Sequence, residues 1–191
     1  MAKSKKHNLQ WIKETLDLNP DHNWKSSPGN SIFVAGRGAV RFEVPQDWHF
    51  EPDDNSFRFL DRKPPNDDCR LEVSYNLLPP GDWKELPLKG MVKKLAREDS
   101  RNPHEIGEVI QEKRQTVRIV WVQIQFIDPQ ENRPAYSRIA VGIGSGVQCL
   151  ITMDYWVDDA DKFTPVWDTV ISSLVLGLYI RDPRSGLAFP D

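Results

Sequence analysis

Four residues within one short stretch, His49, Glu51, Asp53 and Asp54, have side chains that bind metals. Imidazole and carboxylate are common ligands of divalent ions. His49, Glu51 and Asp54 therefore define one candidate chemistry, that of a small metal-dependent hydrolase. Against it, the stretch is polar and lies between two strand patterns, as loops do. His104-Glu105 does not extend to a zinc-protease motif, because position 108 is Glu108. A second group, Asp154, Asp158, Asp159 and Asp161, precedes the last helical pattern. Carboxylates there suit the positive end of a helix. They also suit a basic partner, whose approach they would steer. Their spacing is not that of a calcium loop, which also needs a terminal Glu.

Other signs of catalysis are weak. Gly36-Arg-Gly38 and Gly142-Ile-Gly-Ser-Gly146 are each followed by a strand pattern. A phosphate cradle needs a helix N-terminus at that point, so both read as turns or bulges. Ser145 lies at such a turn, outside any Gly-x-Ser-x-Gly context. There are four histidines, two of them (His7 and His22) near the N-terminus, and none is placed as a general base. The residues imply no cofactor. Cys69 and Cys149 share alternating positions with Leu71, Val73, Ile151 and Met153, so both read as buried apolar thiols.

The seven tryptophans point instead to surfaces. Trp121 and Trp167 fall on apolar faces and belong to a core, and Trp48 packs under a turn. Trp83 follows Pro79-Pro80-Gly81-Asp82, and Trp156 ends a strand pattern. These two, with Trp11 and Trp24, are candidate anchors of the kind protein interfaces favour. With Asp154, Asp158, Asp159 and Asp161, Trp83 and Trp156 form the candidate protein-binding set.

Elements must position these groups, and the chain is long enough to supply them. Its 191 residues correspond to one domain by default. Leu, Ile, Val and Phe make up about a quarter of the chain, above the roughly 20% below which chains tend to disorder. Twenty-five Lys and Arg face twenty-eight Asp and Glu, a net charge of −3. That excludes a generic basic nucleic-acid binder. No apolar run reaches the roughly 18 residues of a membrane span. Met1 to Gln10 lacks an apolar secretory core, so the expected compartment is the cytoplasm.

The organisation reads as an arm, a body and a tail. In the arm, 1–30, Leu9, Ile12 and Leu16 have the spacing of a short amphipathic helix. In the body, 31–177, Ile32 to Val34 is short and apolar. Val40, Phe42 and Val44 alternate with polar residues, as do Phe57 with Phe59 and Cys69 through Tyr75. That is the period of half-buried strands. Leu88, Met91, Val92 and Leu95 switch to helical spacing, predicting a helix from about Leu86 to Glu98. A strand is entered near Ile110. Val117 to Ile127 is apolar on both faces, which predicts a central strand covered on both sides. Tyr136 to Ile143 and Val147 to Trp156 form a hairpin. Phe163, Val166, Val170, Ile171 and Leu174 lie on one face of a last helix. Thr164-Pro165 reads as its cap and first residue, and Gly177 as its left-handed end. The tail, 178–191, follows. Short turns between consecutive strands make the sheet antiparallel. The expected class is α+β, an α/β/α sandwich around a mostly antiparallel sheet.

Three stretches carry a resemblance. They are Val40-Arg-Phe-Glu-Val-Pro-Gln-Asp-Trp48, the hairpin from Tyr136 to Trp156, and Phe163-Thr-Pro-Val-Trp-Asp-Thr-Val-Ile-Ser-Ser-Leu174. In these, over about Ile32 to Leu176, the chain resembles the PsbP-like family. The resemblance implies an α/β/α sandwich and, for most members, a role in binding other proteins. They include a photosystem II extrinsic subunit, a Ran-binding nuclear transport factor, DcrB-like envelope lipoproteins and chaperones of secreted effectors. The expectation is thus a non-catalytic cytoplasmic protein-binding module, an adaptor or effector chaperone. Its partner would be another protein, captured on a sheet edge or groove.

Overall fold

A computed structural model describes residues 17–114 and 116–189. The predicted amphipathic helix around Leu9 and Ile12, and Trp11 and His7 with it, lie outside the described residues. In chain order the strands are β1 (Asn30–Ala35), β2 (Val40–Pro45), β3 (His49–Pro52), β4 (Phe57–Leu60) and β5 (Cys69–Leu77). Helix α1 (Leu88–Arg97) comes next. Then follow β6 (Glu105–Ile106), β7 (Ile110–Lys113), β8 (Arg118–Ile127), β9 (Pro134–Gly144) and β10 (Val147–Trp156). Helix α2 (Ala160–Ser173) leads into β11 (Val175–Leu176), β12 (Ile180–Asp182) and β13 (Leu187–Ala188).

The main sheet runs β3-β4-β5-β10-β9-β8-β6, with β7 also on β8. A smaller sheet runs β1-β2-β11, and β12 with β13 forms a separate hairpin. Every pairing among the described residues is antiparallel. The α+β class and the antiparallel sheet are as the alternating patterns require. The hairpin β9–β10 closes through Ser145 and Gly146, both at positive φ (46° and 73°), the backbone of a two-residue primed turn.

The two faces of the main sheet are covered unequally. On one, Val120, Val122 and Ile124 of β8 and Ile139, Val141 and Ile143 of β9 pack under Leu88, Val92 and Ala96 of α1. The helix lies chiefly over these two strands. The other face packs against α2, through Phe163, Trp167, Val170 and Ile171, and against Val40, Phe42 and Val44 of the small sheet. Phe33, Phe57 and Phe59 form an aromatic cluster between the two sheets, with ring centroids 5.0 and 5.1 Å from Phe33.

The first and last described segments lie together. The Asn19 and Asn23 amides donate to the Arg184 and Ser185 carbonyls at 3.2 and 2.6 Å. The Trp24 indole donates to the Pro183 carbonyl at 2.8 Å.

Three local expectations need correction. His49–Pro52 is an edge strand rather than a loop, because Phe50 pairs with Phe59 and adds its ring to the aromatic cluster. Helix α2 begins at Ala160, so Pro165 lies inside it and Thr164 does not cap it. The Asp158–Asp159 turn feeds the helix directly, and the Thr164 hydroxyl is engaged elsewhere, accepting from Arg138 at 3.1 Å. Gly177 does take a left-handed φ of 68°, but after β11 and not at the helix end. The helix stops where Leu174 turns extended.

Candidate functional site

Strand β10 sorts its side chains by parity. Cys149, Ile151, Met153 and Tyr155 are buried beneath α2 and the small sheet. Asp154 and Trp156 lie on the opposite face, past the end of α1's cover. There they line a pocket of about 490 Å³ with Asp67, Asp68, Asp128 and Glu131, against only two guanidiniums, Arg70 and Arg101. Phe126 and Trp156 give it aromatic walls.

Most of these carboxylates are engaged. Asp68 accepts the Trp156 indole N–H at 3.1 Å and pairs with Arg62. Asp128 accepts the amides of Gln130 and Glu131 at 2.8 and 2.9 Å, which shapes the β8–β9 turn. Arg101 lies over the Phe126 ring at 4.1 Å and donates to Asp154 Oδ2 at 2.9 Å and to Asp99 Oδ2 at 2.7 Å. The bond from Arg101 holds the Asp99 carboxyl below its usual range.

Two polar atoms here are not engaged. Asp154 Oδ1 is buried and has no hydrogen-bond partner, and neither has Ser137 Oγ, whose residue is fully buried. Ser137 stands directly across from Asp154 on β9, and cross-strand partners share a face at about 5 Å. The pocket lining thus holds one unmet carboxylate oxygen, Asp154 Oδ1, beneath an excess of negative charge, with the Ser137 hydroxyl buried across the strand from it. That arrangement is suited to a cationic hydrogen-bond donor.

The other predicted residues scatter around it. Arg133 caps the Trp156 ring at 4.8 Å and pairs with Asp158 at 3.3 Å and Asp159 at 3.7 Å. Asp161 sits in the first turn of α2, where its charge faces the helix's positive end. Trp83 lies elsewhere. Its indole donates to the Pro79 carbonyl at 2.9 Å, its ring packs against the α1 cluster, and its own carbonyl accepts from Arg118. That is the Val147 end of β10, about 30 Å from Trp156 at strand rise. Trp24, bonded to Pro183, faces Arg41 at 5.9 Å.

The metal-binding candidates do not assemble. His49 Nε2 meets Glu51 at 3.3 Å on the exposed edge strand. Asp53 is taken by Arg58 at 2.5 Å and by the Asp54 amide at 2.8 Å, and Asp54 itself is exposed in the turn. Among the described residues, no three His, Cys, Asp or Glu side chains gather to hold a metal ion. The two thiols are buried. Burial pushes Cys149 up to about 12 and raises Cys69 as well, so neither is poised as a nucleophile.

Sequence reading missed Arg101, Ser137 and Phe126. They come from the α1–β6 connection, β9 and β8, so no local spacing joins them to Asp154. It also missed a second concavity, a groove of about 890 Å³ lined by Leu18, Trp24, Ile32, Val34, Ile180 and Phe189. This groove is larger but largely apolar, and its walls carry no carboxylate.

The fold agrees with what the chain is similar to. The family model Alr1449 matches residues 31–180. The uncharacterized protein alr1449 of Nostoc sp. (strain PCC 7120) is 62% identical over 192 residues, covering all of both chains. The solution structure of cyanobacterial PsbP (CyanoP) from Synechocystis sp. PCC 6803 superimposes with a TM-score of 0.56 at 13% identity. The match covers 79% of this chain and 94% of that one. The Saccharomyces cerevisiae Ran-binding protein Mog1p gives 0.50 at 11% identity, over 78% and 96% of the two chains. LpqN of Mycobacterium tuberculosis, involved in cell envelope biogenesis, gives 0.51 at 11%, over 77% and 90%. No helix among the described residues is long and apolar enough to cross a membrane. At such identities the structures establish the fold alone, while the family match and the full-length relative establish descent: the chain belongs to the Alr1449 family and has the PsbP-like fold.

Proposed function

We propose that this chain is a non-catalytic protein-binding module of the cytoplasm, an adaptor or effector chaperone, that takes a basic side chain of its partner into the Trp156 pocket. The observation that carries the reading is the unmet carboxylate oxygen of Asp154, Oδ1, in the lining of a pocket with surplus carboxylates. A lysine or arginine entering there finds the Asp154 carboxylate as acceptor, negative charge around it and an aromatic wall. Outside the pocket Asp158, Asp159 and Asp161 extend the negative surface and steer such a partner. Trp83 joins the contact only for a partner that spans the length of β10. Binding is the role printed for one fold neighbour, Mog1p, which supports this class of function over catalysis.

The test is capture from source-cell lysate at low and moderate salt, comparing the full chain with Trp156→Ala and Asp154→Asn. A near-stoichiometric protein that weakens with salt and is lost in both variants supports the reading. A partner retained equally by both variants overturns the pocket, and no partner at either salt overturns the module. Exposed charge pairs are screened over about 10 Å at 0.1 M salt, so the salt step reads the outer aspartates rather than the pocket floor.

A further inference from the structure

On the face of β9 opposite Ser137, Arg138 points into the layer beneath α2. It is only 8% exposed. Its Nε donates to Gln123 Oε1 at 2.8 Å and its Nη2 to Thr164 Oγ1 at 3.1 Å. The rings of Trp121, Tyr155 and Trp167 surround it, with centroids 5.4, 5.7 and 5.9 Å from the guanidinium carbon. Among the described residues, no carboxylate lies within ion-pair distance of it.

This is a costly arrangement on its own. A guanidinium stays protonated at any ordinary pH, and a buried charge is normally paired. Arg138 Nη1 is buried without a partner, and so are the Nε1 groups of both Trp121 and Trp167. The two indoles meet edge to face, centroids 5.5 Å apart at 68°. That geometry lets at most one indole N–H rest on the other's ring. Cation–π contacts satisfy the faces of the guanidinium, not its in-plane Nη1 donors. The nearby oxygens are already used: Gln123 Oε1 accepts from both Arg138 and the Tyr155 hydroxyl, the latter at 3.2 Å. The cluster therefore has one uncompensated positive charge and three donor nitrogens in want of an acceptor.

We propose that Arg138, Trp121 and Trp167 form a buried binding site for a monovalent anion of halide type. A single negative charge balances the single guanidinium. A spherical ion accepts from several N–H groups at once and brings no further oxygens that would need donors of their own, as phosphate would. A water molecule meets the hydrogen bonds but leaves the charge, so dependence on the ion distinguishes the two. The site lies on the opposite face of the sheet from the Trp156 pocket and does not rest on the proposed binding role.

The experiment uses the purified full-length chain. Thermal unfolding is followed while sodium gluconate is replaced by sodium chloride or bromide at constant ionic strength. A ligand that binds only the folded state raises the midpoint in proportion to the logarithm of its concentration above Kd. The wild type is expected to gain stability with chloride and bromide, and a bromide-soaked crystal to show one anomalous peak beside Arg138 Nη1. Arg138→Met removes the halide dependence. Should that variant not fold, Trp121→Phe removes one donor while keeping an aromatic ring, and halide affinity falls about tenfold. Equal midpoints in gluconate and chloride overturn the proposal. So does a halide effect that survives unchanged in Arg138→Met or Trp121→Phe.

Discussion

Two regions on opposite faces of the same hairpin are mirror images in charge. Past the end of α1, the Trp156 pocket holds surplus carboxylates and the unmet oxygen of Asp154. Under α2, the Arg138 cluster holds a guanidinium with no counter-charge and three unmet donor nitrogens among the described residues. The contrast arises between sequence neighbours. Ser137 and Arg138 are consecutive on β9, and Asp154 and Tyr155 on β10, and successive strand residues point to opposite faces. One step along the chain moves from an acceptor-rich, half-open site to a donor-rich, closed one. The pocket is reached from solvent, so it suits a partner that comes and goes. The cluster lies within the core, so whatever satisfies it is bound on folding.

If the α2 layer belongs to the core and the pocket to the surface, the largest effect must come from the former. Trp167 is fully buried between Trp121 and Arg138. Trp167→Ala is expected to cost about 3–5 kcal/mol, lowering the unfolding midpoint by roughly 6–20 °C for a domain of this size. A midpoint within about 3 °C of wild type in calorimetry breaks the contrast, because the layer would then not be close-packed around that ring.

The next effect, at about 1–3 kcal/mol, belongs to the pocket rim. Arg101→Ala leaves Asp99 and Asp154 without their shared cation. The Asp99 carboxyl is depressed in the fold by the bond from Arg101, with burial opposing. A depressed carboxyl contributes stability that is present above its ordinary value of 3.8 and is lost as pH falls through the depressed one. The gap between wild type and Arg101→Ala in urea unfolding is therefore expected to be wide at pH 7 and to narrow in acid. A gap of equal size at both ends shows that Arg101 acts through packing on Phe126 and not through charge.

Much of the fold was legible, and the reason is visible in particular residues. Cys69 to Tyr75 and Val147 to Trp156 alternate cleanly because one face of each packs under the small sheet and α2. The start of α2 was misread because Pro165 has the signature of a first helical residue, while the acidic turn before it extends the helix by a further stretch. The edge strand His49–Pro52 was hidden because its outward residues are polar and the only sign of its inner face is Phe50. In the site, Asp154 and Trp156 were legible because an acidic and an aromatic side chain ending a strand stand out locally. Arg101 reaches Asp154 from 53 residues away, and such a pairing leaves no trace in spacing. Arg138 could have been noticed, since an arginine stands between Tyr136 and Ala140 on a core-facing parity. Its lack of a counter-charge is a fact of three dimensions only.

The smallest expected effect falls on Trp156 itself and separates the two things its ring does. The indole N–H donates to Asp68, and the ring face lies under Arg133. Trp156→Phe keeps an aromatic face and deletes the donor, freeing one oxygen of a carboxylate that Arg62 still neutralises. The half-buried position makes the cost in stability modest, about 0.5–1 kcal/mol. Capture of a basic partner should persist in Trp156→Phe and fail in Trp156→Ala, because the aromatic wall is what the partner's cation meets. Loss of capture in both variants, with Asp154→Asn still binding, would move the recognition from the ring to its hydrogen bond with Asp68. The site would then be the Asp61–Asp68 loop that the indole holds in place, rather than the pocket floor.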